Sequence, residues 1–335
     1  MSTDRAPDIS VVIVSWNVRV LLAQCLDSLL AIAGPEPFSG DKLRLGQRVL
    51  DVWVVDNASH DATLAMLADQ YPWVHAIDAG QNLGFTGGNN LALQACCGRY
   101  ALLLNPDTVV MRVGDADAIT LLADVADAAP DVAVVGPRLL YGDGSPQSSR
   151  RRFPTLCMGL MESTPLERWF PHNRWARRYR MEDLPADQVQ EVDWVTGACM
   201  LVRREALVQV GLFDEGYFMY SEELDLCRRL RAAGWRVVHE PRATVVHYEG
   251  QSSGQVLTRR QLLFDSSKVR YFRQHVGAGQ AAVLRYGLLA GYAIEMLIEG
   301  LKWLLGHKRP LRHERLRAYR DLLRSGLGPP PSAKG

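Results

Sequence analysis

Apolar residues follow two rhythms along this chain. Continuous runs rich in valine, isoleucine and leucine alternate with stretches in which an apolar residue returns every third or fourth position. Of the first kind are Ile9 to Ser15, Val49 to Val55, Ala101 to Leu104 and Val132 to Val135, and such short, nearly unbroken runs predict strands covered on both faces. Trp73 to Ile77 predicts one more. Of the second kind, Leu21, Leu22, Cys25, Leu26, Leu29 and Leu30 predict a helix ended by Gly34-Pro35-Glu36-Pro37. Leu64 with Leu67, then Leu91 with Leu93 and Ala95, then Asp117 to Ala128 predict further helices. Strands alternating with helices through short polar corners predict an α/β fold on a mostly parallel, doubly wound, Rossmann-like sheet. Ligands of such sheets bind beyond the carboxyl ends of the strands. Asp56 and Asp107 both stand at such ends.

After Gly136-Pro137, read as a turn, the rhythm breaks. Tyr141 to Arg180 holds Arg150-Arg151-Arg152, Trp169, Arg174, Trp175, Arg177, Arg178 and Arg180 without apolar periodicity, which predicts a basic, aromatic, mobile loop over residues 141–185. Regular structure resumes with Val192 to Val202, a helix from Arg203, a helix from Ser221 to Ala233 closed by Gly234, and two short strands, Arg236 to His239 and Ala243 to His247. Beyond Gly254 the pattern is helical to the end. The expected division is a sheet domain over residues 1–255 and a basic helical C-terminal region over 256–335.

Composition changes this picture in three places. Six cysteines, at 25, 96, 97, 157, 199 and 227, form no Cys-x-x-Cys pair and no zinc spacing, so they read as reduced core residues of a cytosolic protein. The polar stretch Met1 to Asp8 runs straight into a strand and predicts no signal peptide. The net charge of +1 hides an asymmetry: residues 259–335 hold 15 Lys and Arg against 5 Asp and Glu, a net +10, which leaves −9 on residues 1–258. Such a tail meets something anionic, and the expected partner is an anionic membrane surface, not a nucleic acid. Ala281 to Leu305 is apolar but interrupted by Arg285, Glu295, Glu299 and Lys302, short of the roughly 18 uninterrupted apolar residues of a spanning helix. Followed by Lys308, Arg309, Arg312, Arg315, Arg317 and Arg320, it suits an amphipathic element lying on the membrane. The alternative is that this face packs against the sheet domain or against a partner subunit in a homo-oligomer.

Five stretches could carry chemistry. Asp56 can accept a hydrogen bond from a nucleobase imide or a ribose hydroxyl, or simply cap the next helix. Gln81 to Asn90, with Gly84, Gly87 and Gly88, can bring backbone amides and a helix N-terminus against a diphosphate. It is neither the GxGxxG fingerprint after a first strand nor a Walker A loop, which disfavours a hydride-transferring enzyme and a P-loop NTPase. Asn105-Pro106-Asp107 is a turn by composition and a cation site by position. Glu222, Glu223 and Asp225 put three carboxylates in one helical turn, enough for mutual repulsion to raise one of them into the range of a general base. On a helix Glu222 and Asp225 share a face and Glu223 points away. His247 ends a strand, where it could complete a metal site with Asp107. Gly250-Gln251-Ser252-Ser253-Gly254 fits GxSxG, but only Asp265 and His275 follow it, so a serine hydrolase is disfavoured.

Together these stretches resemble the family 2 inverting glycosyltransferases with a GT-A fold, in particular the rhamnosyltransferase-like branch. The resemblance rests on Val11 to Asn17, Val54 to Ser59, Asn82 to Asn90, Leu103 to Asp107, Gly197 to Arg203, Phe213 to Arg228, and His247 with Gly250 and Ser252, in the expected order over about residues 9–255. It implies that Ser15, Asn17, Asp56, Asn82, Gly84, Gly87, Asn89, Asn105 and Gly197 line a nucleoside-diphosphate sugar of the dTDP or UDP type. It implies further that Asp107 and His247 hold Mg2+ or Mn2+. Asp107 matches the last acid of the family's Asp-x-Asp motif, whereas Asn105 stands at the first. Glu223 falls where the branch usually has the Asp of a Glu-Asp pair, the catalytic base, which leaves Glu222, Glu223 and Asp225 all open for that role. The absence of QxxRW implies a single transfer per encounter. The implied activity is transfer of a sugar, with rhamnose suggested by the branch, to a lipid-linked or polysaccharide hydroxyl in cell-envelope glycan synthesis at the cytoplasmic face of the plasma membrane. The alternatives are a catalytically silent nucleotide-sugar-binding or scaffold subunit, and a nucleotidyltransferase, which the missing Gly-rich loop after the first strand disfavours.

Overall fold

The computed structural model describes residues 6–33, 38–39, 41–170, 173–248 and 257–328. Gly34 to Pro37 and the Gly250 to Gly254 stretch lie outside the described residues. In order, the chain forms β1 (Ile9–Ser15), α1 (Arg19–Ala33), β2 (Phe38–Ser39), β3 (Lys42–Leu45), β4 (Arg48–Asp56), α2 (Thr63–Gln70), β5 (His75–Asp78), α3 (Gly84–Ala95) and β6 (Tyr100–Leu104). Next come β7 (Thr108–Val110), β8 (Arg112–Val113), β9 (Ala116–Asp117), α4 (Ala118–Ala128), β10 (Val132–Leu140), β11 (Pro146–Gln147) and β12 (Arg150–Arg151). Three short helices follow, α5 (Leu156–Met161), α6 (Pro165–Trp169) and α7 (Arg174–Tyr179). The rest is β13 (Gln190–Val192), β14 (Trp194–Val195), β15 (Cys199–Arg203), α8 (Arg204–Val210), α9 (Glu222–Ala232), β16 (Arg236–His247), α10 (Leu257–His275), α11 (Ala278–Leu304) and α12 (Arg309–Ser325).

Contacts divide the chain into two units. The first comprises Met1–Arg152, Leu184–Glu215 and Glu222–Ser252; the second comprises Phe153–Asp183, Gly216–Ser221 and Ser253–Gly335. In the first, one sheet has the order β13-β16-β10-β15-β6-β1-β4-β3-β2. Its centre, β6-β1-β4, is parallel, and the apolar runs that predicted these strands are buried on both faces, with Val11, Ile13, Val54 and Leu102 fully enclosed. The leucine rhythm of α1 covers one face through Leu22, Cys25, Leu26 and Leu29.

Away from that centre the sheet is mixed. β15 enters from the carboxyl end of β6 and runs antiparallel to both β6 and β10. Gly136-Pro137 is not a turn: β10 continues through it, and Gly136 is needed there because a Cβ would lie 2.6 Å from Val195 Cγ1. The two late strands are one, β16, whose pairing with β10 skips from Glu240 to Thr244 around Pro241, which has no N–H to donate. The segment read as an irregular loop carries α5, α6 and α7, each started by a side chain accepting a backbone N–H: Thr155 from Met158, Thr164 from Leu166 and Asn173 from Ala176.

The second unit is helical. Tyr292 of α11 donates its hydroxyl to buried Asp265 of α10, and Lys268 reaches Glu162 at 2.8 Å. α11 is long and apolar enough to cross a membrane by length and composition, since an 18-residue window holds no more than two charges. A cavity of about 570 Å³ in this unit is lined by Arg174, Trp175, Arg177, Arg178 and Asp183.

Candidate functional site

The candidate site grows from the places where strands of the first unit end. Ser15 at the end of β1 is opposite Asp56 at the end of β4, and Asp56 is opposite Asp78 at the end of β5. On the other side of β1, β6 stops at Leu104, opposite Cys199 where β15 begins. The Asn105 amide donates to Ala198 O at 2.9 Å, so the residues before β15 lie against the Asn-Pro-Asp corner. Thr108, the first residue of β7, pairs with His247, the last of β16. Segments far apart in sequence therefore meet on one corner.

At that corner Asp107 is buried, and its Oδ1 has no hydrogen-bond donor. His247 Nε2 lies 3.3 Å from Asp107 Oδ1 and 3.3 Å from Asn105 Nδ2, while its Nδ1 lies 3.0 Å from Gln147 Oε1. Nδ1 thus faces the Gln147 amide oxygen, and Nε2 stands between the Asn105 amide and the Asp107 carboxylate. Two electron-rich atoms this close repel unless a proton or a cation joins them. Among the described residues no group of three or more His, Cys, Asp or Glu side chains gathers as a metal cage. Asp107 and His247 together offer two donors whose chemistry suits a divalent cation that takes its remaining oxygens from a ligand.

Asp56 is buried too, with Oδ2 accepting from the Ser59 amide at 3.0 Å and Oδ1 without a partner. Its helix-capping alternative is not taken up, since α2 starts behind Ala62 with no side-chain cap. Ser15 Oγ is likewise buried and without a hydrogen bond. Asn17, in the left-handed region at φ 53°, is a clasp: its amide donates to Ser59 Oγ and its Oδ1 accepts from His60.

The Gly-rich stretch begins α3. Gly84, at φ 72°, donates to Asn82 Oδ1 at 2.9 Å, an Asx turn that starts the helix, while the N-cap residue Leu83 supplies no side-chain cap. Gly88 rather than Gly87 sets the distance of α3 from the sheet, because a Cβ there would lie 2.7 Å from Val14 Cγ1. A Cβ on Gly87 would meet only Leu83 of the same helix. The Asn89 amide donates back to Phe85 O at 2.8 Å. Asn90 does what the sequence left unsaid: it donates to Phe213 O and accepts from Phe213 N, at 3.0 and 3.1 Å, tying α3 to the segment before α9.

The three acids of α9 separate. Tyr220 and Ser221, both at positive φ (69° and 65°), lead into Glu222, two successive residues in a region that side chains disfavour. Asp225 accepts from Arg229 Nε at 2.8 Å, and Arg229 also donates to Val210, Gly211 and Leu212 carbonyls, a structural bridge. Glu223 faces Gly197, whose Cα would carry a Cβ 3.6 Å from Glu223 Cβ. Burial raises the Glu223 carboxyl above its ordinary pKa, opposed by backbone N–H groups, including that of Gly197, and by the charge of Arg151. Glu222 is raised well above its ordinary value by burial and by the negative charges of Glu223 and Asp225. Glu222 Oε2 and Glu223 Oε2 both lack a hydrogen bond.

Gln147 and Arg151 escaped the sequence reading. Gln147 belongs to a two-residue strand with no periodicity, and Arg151 looked like one of a basic run; neither carried a local signal of its partner.

The chain matches the family described as Glycosyltransferase like family 2 over residues 7–262. It is 36% identical over 220 residues to the N-acetylglucosaminyl-diphospho-decaprenol L-rhamnosyltransferase of Mycobacterium tuberculosis, covering 62% of this chain and 70% of that one. It is 29% identical over 214 residues to rhamnosyltransferase WbbL of Escherichia coli K12, covering 58% and 72%. Among solved structures, mannosyltransferase PcManGT of Pyrobaculum calidifontis, in complex with GDP-Man and Mn2+, is similar with a TM-score of 0.53 at 16% identity, over 96% of this chain and 87% of that one. GalNAc-T7 with UDP, GalNAc and Mn2+ is similar with a TM-score of 0.54 at 16% identity, over 81% and 48%. These structural likenesses speak for the fold, and the sequence match speaks for the family. This chain belongs to glycosyltransferase family 2, as a rhamnosyltransferase-like enzyme on a GT-A fold.

Proposed function

We propose that this glycosyltransferase moves one sugar from a dTDP- or UDP-type donor to a hydroxyl of a lipid-linked or polysaccharide acceptor in cell-envelope glycan synthesis, inverting the anomeric carbon. Rhamnose is the sugar and a polyprenyl-diphosphate sugar the acceptor class, a reading supported by two rhamnosyltransferase relatives, one of them named for N-acetylglucosaminyl-diphospho-decaprenol. The observation that carries the reading is the Asp107 carboxylate: its Oδ1 is buried without a donor, 3.3 Å from His247 Nε2, on the corner where the Asn105 amide meets Ala198 O.

Each residue then has a task. Asp56 Oδ1 accepts the imide N–H of the base, with Ser15 and Asn17 shaping the same edge. The first turn of α3, behind Asn82 and Gly84, faces the diphosphate, with Asn89 holding that turn through Phe85 O. Asp107 Oδ1 and His247 Nε2 would hold Mg2+ or Mn2+, which supplies positive charge to the departing nucleoside diphosphate. Gln147 orients His247 through Nδ1, which leaves Nε2 for the cation beside Asn105. Glu223 removes the proton of the acceptor hydroxyl as that oxygen bonds the anomeric carbon and the carbon–diphosphate oxygen bond breaks. Glu222, whose carboxyl burial and two negative neighbours raise well above its ordinary value, takes no part in the proton transfer.

Purified protein given dTDP-rhamnose, Mn2+ and a short-chain polyprenyl-diphosphate N-acetylglucosamine tests this directly. The expected products are dTDP and a disaccharide lipid of inverted anomeric configuration by NMR. Retained configuration, or no nucleoside diphosphate released from any of a panel of dTDP and UDP sugars, sinks the proposal.

A further inference from the structure

α11 has two opposite faces. At 3.6 residues per turn, Val283, Tyr286, Ile294, Leu297, Leu301 and Leu304 fall within an arc of about 80° and form a stripe about 30 Å long. All six are exposed, Leu297 by 71% and Leu304 by 68%, and Leu305 continues the stripe past the helix end at 77%. The opposite arc holds the buried positions Ala281, Leu284, Leu288, Gly291, Tyr292 and Glu299. Every charged residue of the helix, Arg285, Glu295, Glu299 and Lys302, lies outside the stripe. Single exposed apolar side chains are ordinary, but an uninterrupted exposed seam along a whole helix marks a surface that something covers.

We propose that this stripe seats α11 along a bilayer bearing anionic lipid, apolar side chains at the headgroup–acyl boundary and the basic residues of the α11–α12 turn among the headgroups. Charge selects this occupant. Past the end of the stripe the chain turns into Lys308 and Arg309, at the start of α12. α12 adds Arg309, His313, Arg317, Arg320 and Arg324 on a single arc of its own. A second copy of the chain would set one net +10 tail against another, whereas an anionic surface complements it. Insertion across the bilayer is opposed from within the fold. Buried Glu299 is bonded to Lys302 at 2.9 Å and to Arg312 of α12 at 2.5 Å, with Arg315 at 3.7 Å. A crossing α11 would take that carboxylate into hydrocarbon or drag the α12 guanidinium groups in with it. The proposal does not depend on which sugar is transferred.

Flotation of the full-length protein with extruded vesicles tests it, using phosphatidylcholine with and without phosphatidylglycerol. The protein is expected to float with the anionic vesicles, to be weakened by high salt, and to be released by alkaline carbonate. Leu297→Glu/Leu301→Glu/Leu304→Glu, at exposed positions, is expected to lower partitioning by about tenfold or more while thermal unfolding and nucleoside diphosphate release with a water-soluble acceptor stay unchanged. Arg317→Glu/Arg320→Glu/Arg324→Glu is expected to remove the salt-sensitive part of binding. Failure to float with any vesicle overturns the proposal. So does resistance to carbonate, which would mean a spanning helix, or a dimer in sedimentation that the leucine variant dissolves, which would mean a second copy.

Discussion

Glu222 and Glu223 are neighbours with different surroundings, and the difference divides their work. Backbone N–H groups and Arg151 favour the charged form of Glu223 against burial, while Glu222 meets burial and two negative neighbours. Glu223→Gln should therefore lower kcat by about 10²-fold or more with donor binding retained, read by nucleoside diphosphate release and by a thermal shift with donor. Because its pKa is raised, the acid limb of the wild-type pH profile should lie above the ordinary glutamate range, activity falling as pH drops through it. The Arg151 charge favours the ionised carboxylate of Glu223, so Arg151→Ala should move the limb to higher pH. For Glu222 the effect is on stability. An acid whose folded pKa is raised favours the folded state most below its unfolded pKa and loses that advantage as pH rises through the folded value. Glu222→Gln should gain about 1 kcal/mol at neutral pH and show a smaller fall in Tm from acid to neutral pH than the wild type. Asp107→Asn should abolish the Tm rise that Mn2+ adds to bound nucleoside diphosphate, checked by thermal shift.

At the scale of elements, glycine illustrates how tertiary contact reverses a local preference. In a helix interior Gly88→Ala would ordinarily gain about 0.5–1 kcal/mol. Here the new methyl would lie 2.7 Å from Val14 Cγ1 on β1, so a loss of about 1–3 kcal/mol is expected, measured by denaturant unfolding. The strands β1, β4 and β6 were legible because their partners cover both faces and the sequence had to be apolar throughout. The helices α5, α6 and α7 carried caps in plain view, Thr155, Thr164 before Pro165, and Asn173. They are too short for a repeat of 3.6 to declare itself, so the basic residues dominated the reading. The turn expected at Gly136-Pro137 and the break expected between residues 239 and 243 were local signals overruled by pairing between β10 and β16.

At the scale of the whole molecule, the chain joins a sheet unit that carries the candidate site to a helical unit that carries the basic tail and the exposed seam of α11. By itself the sequence determined the α/β class, the helical C-terminal region, the charge asymmetry and the acids waiting at strand ends. All of these are properties of neighbouring residues: apolar period, turn chemistry and charge are written within a dozen positions. It also held the order of motifs that marks the family. Tertiary structure alone decided that β15 runs antiparallel beside β6 and so brings Ala198 to Asn105, and that Asp225 serves Arg229 while Glu223 faces Gly197. It also placed Gln147 and Asn105 on the two nitrogens of His247, which stand 100 and 142 residues away in the chain. Such contacts depend on how strands are ordered across a sheet, and no periodicity along one segment encodes which distant segment will lie beside it.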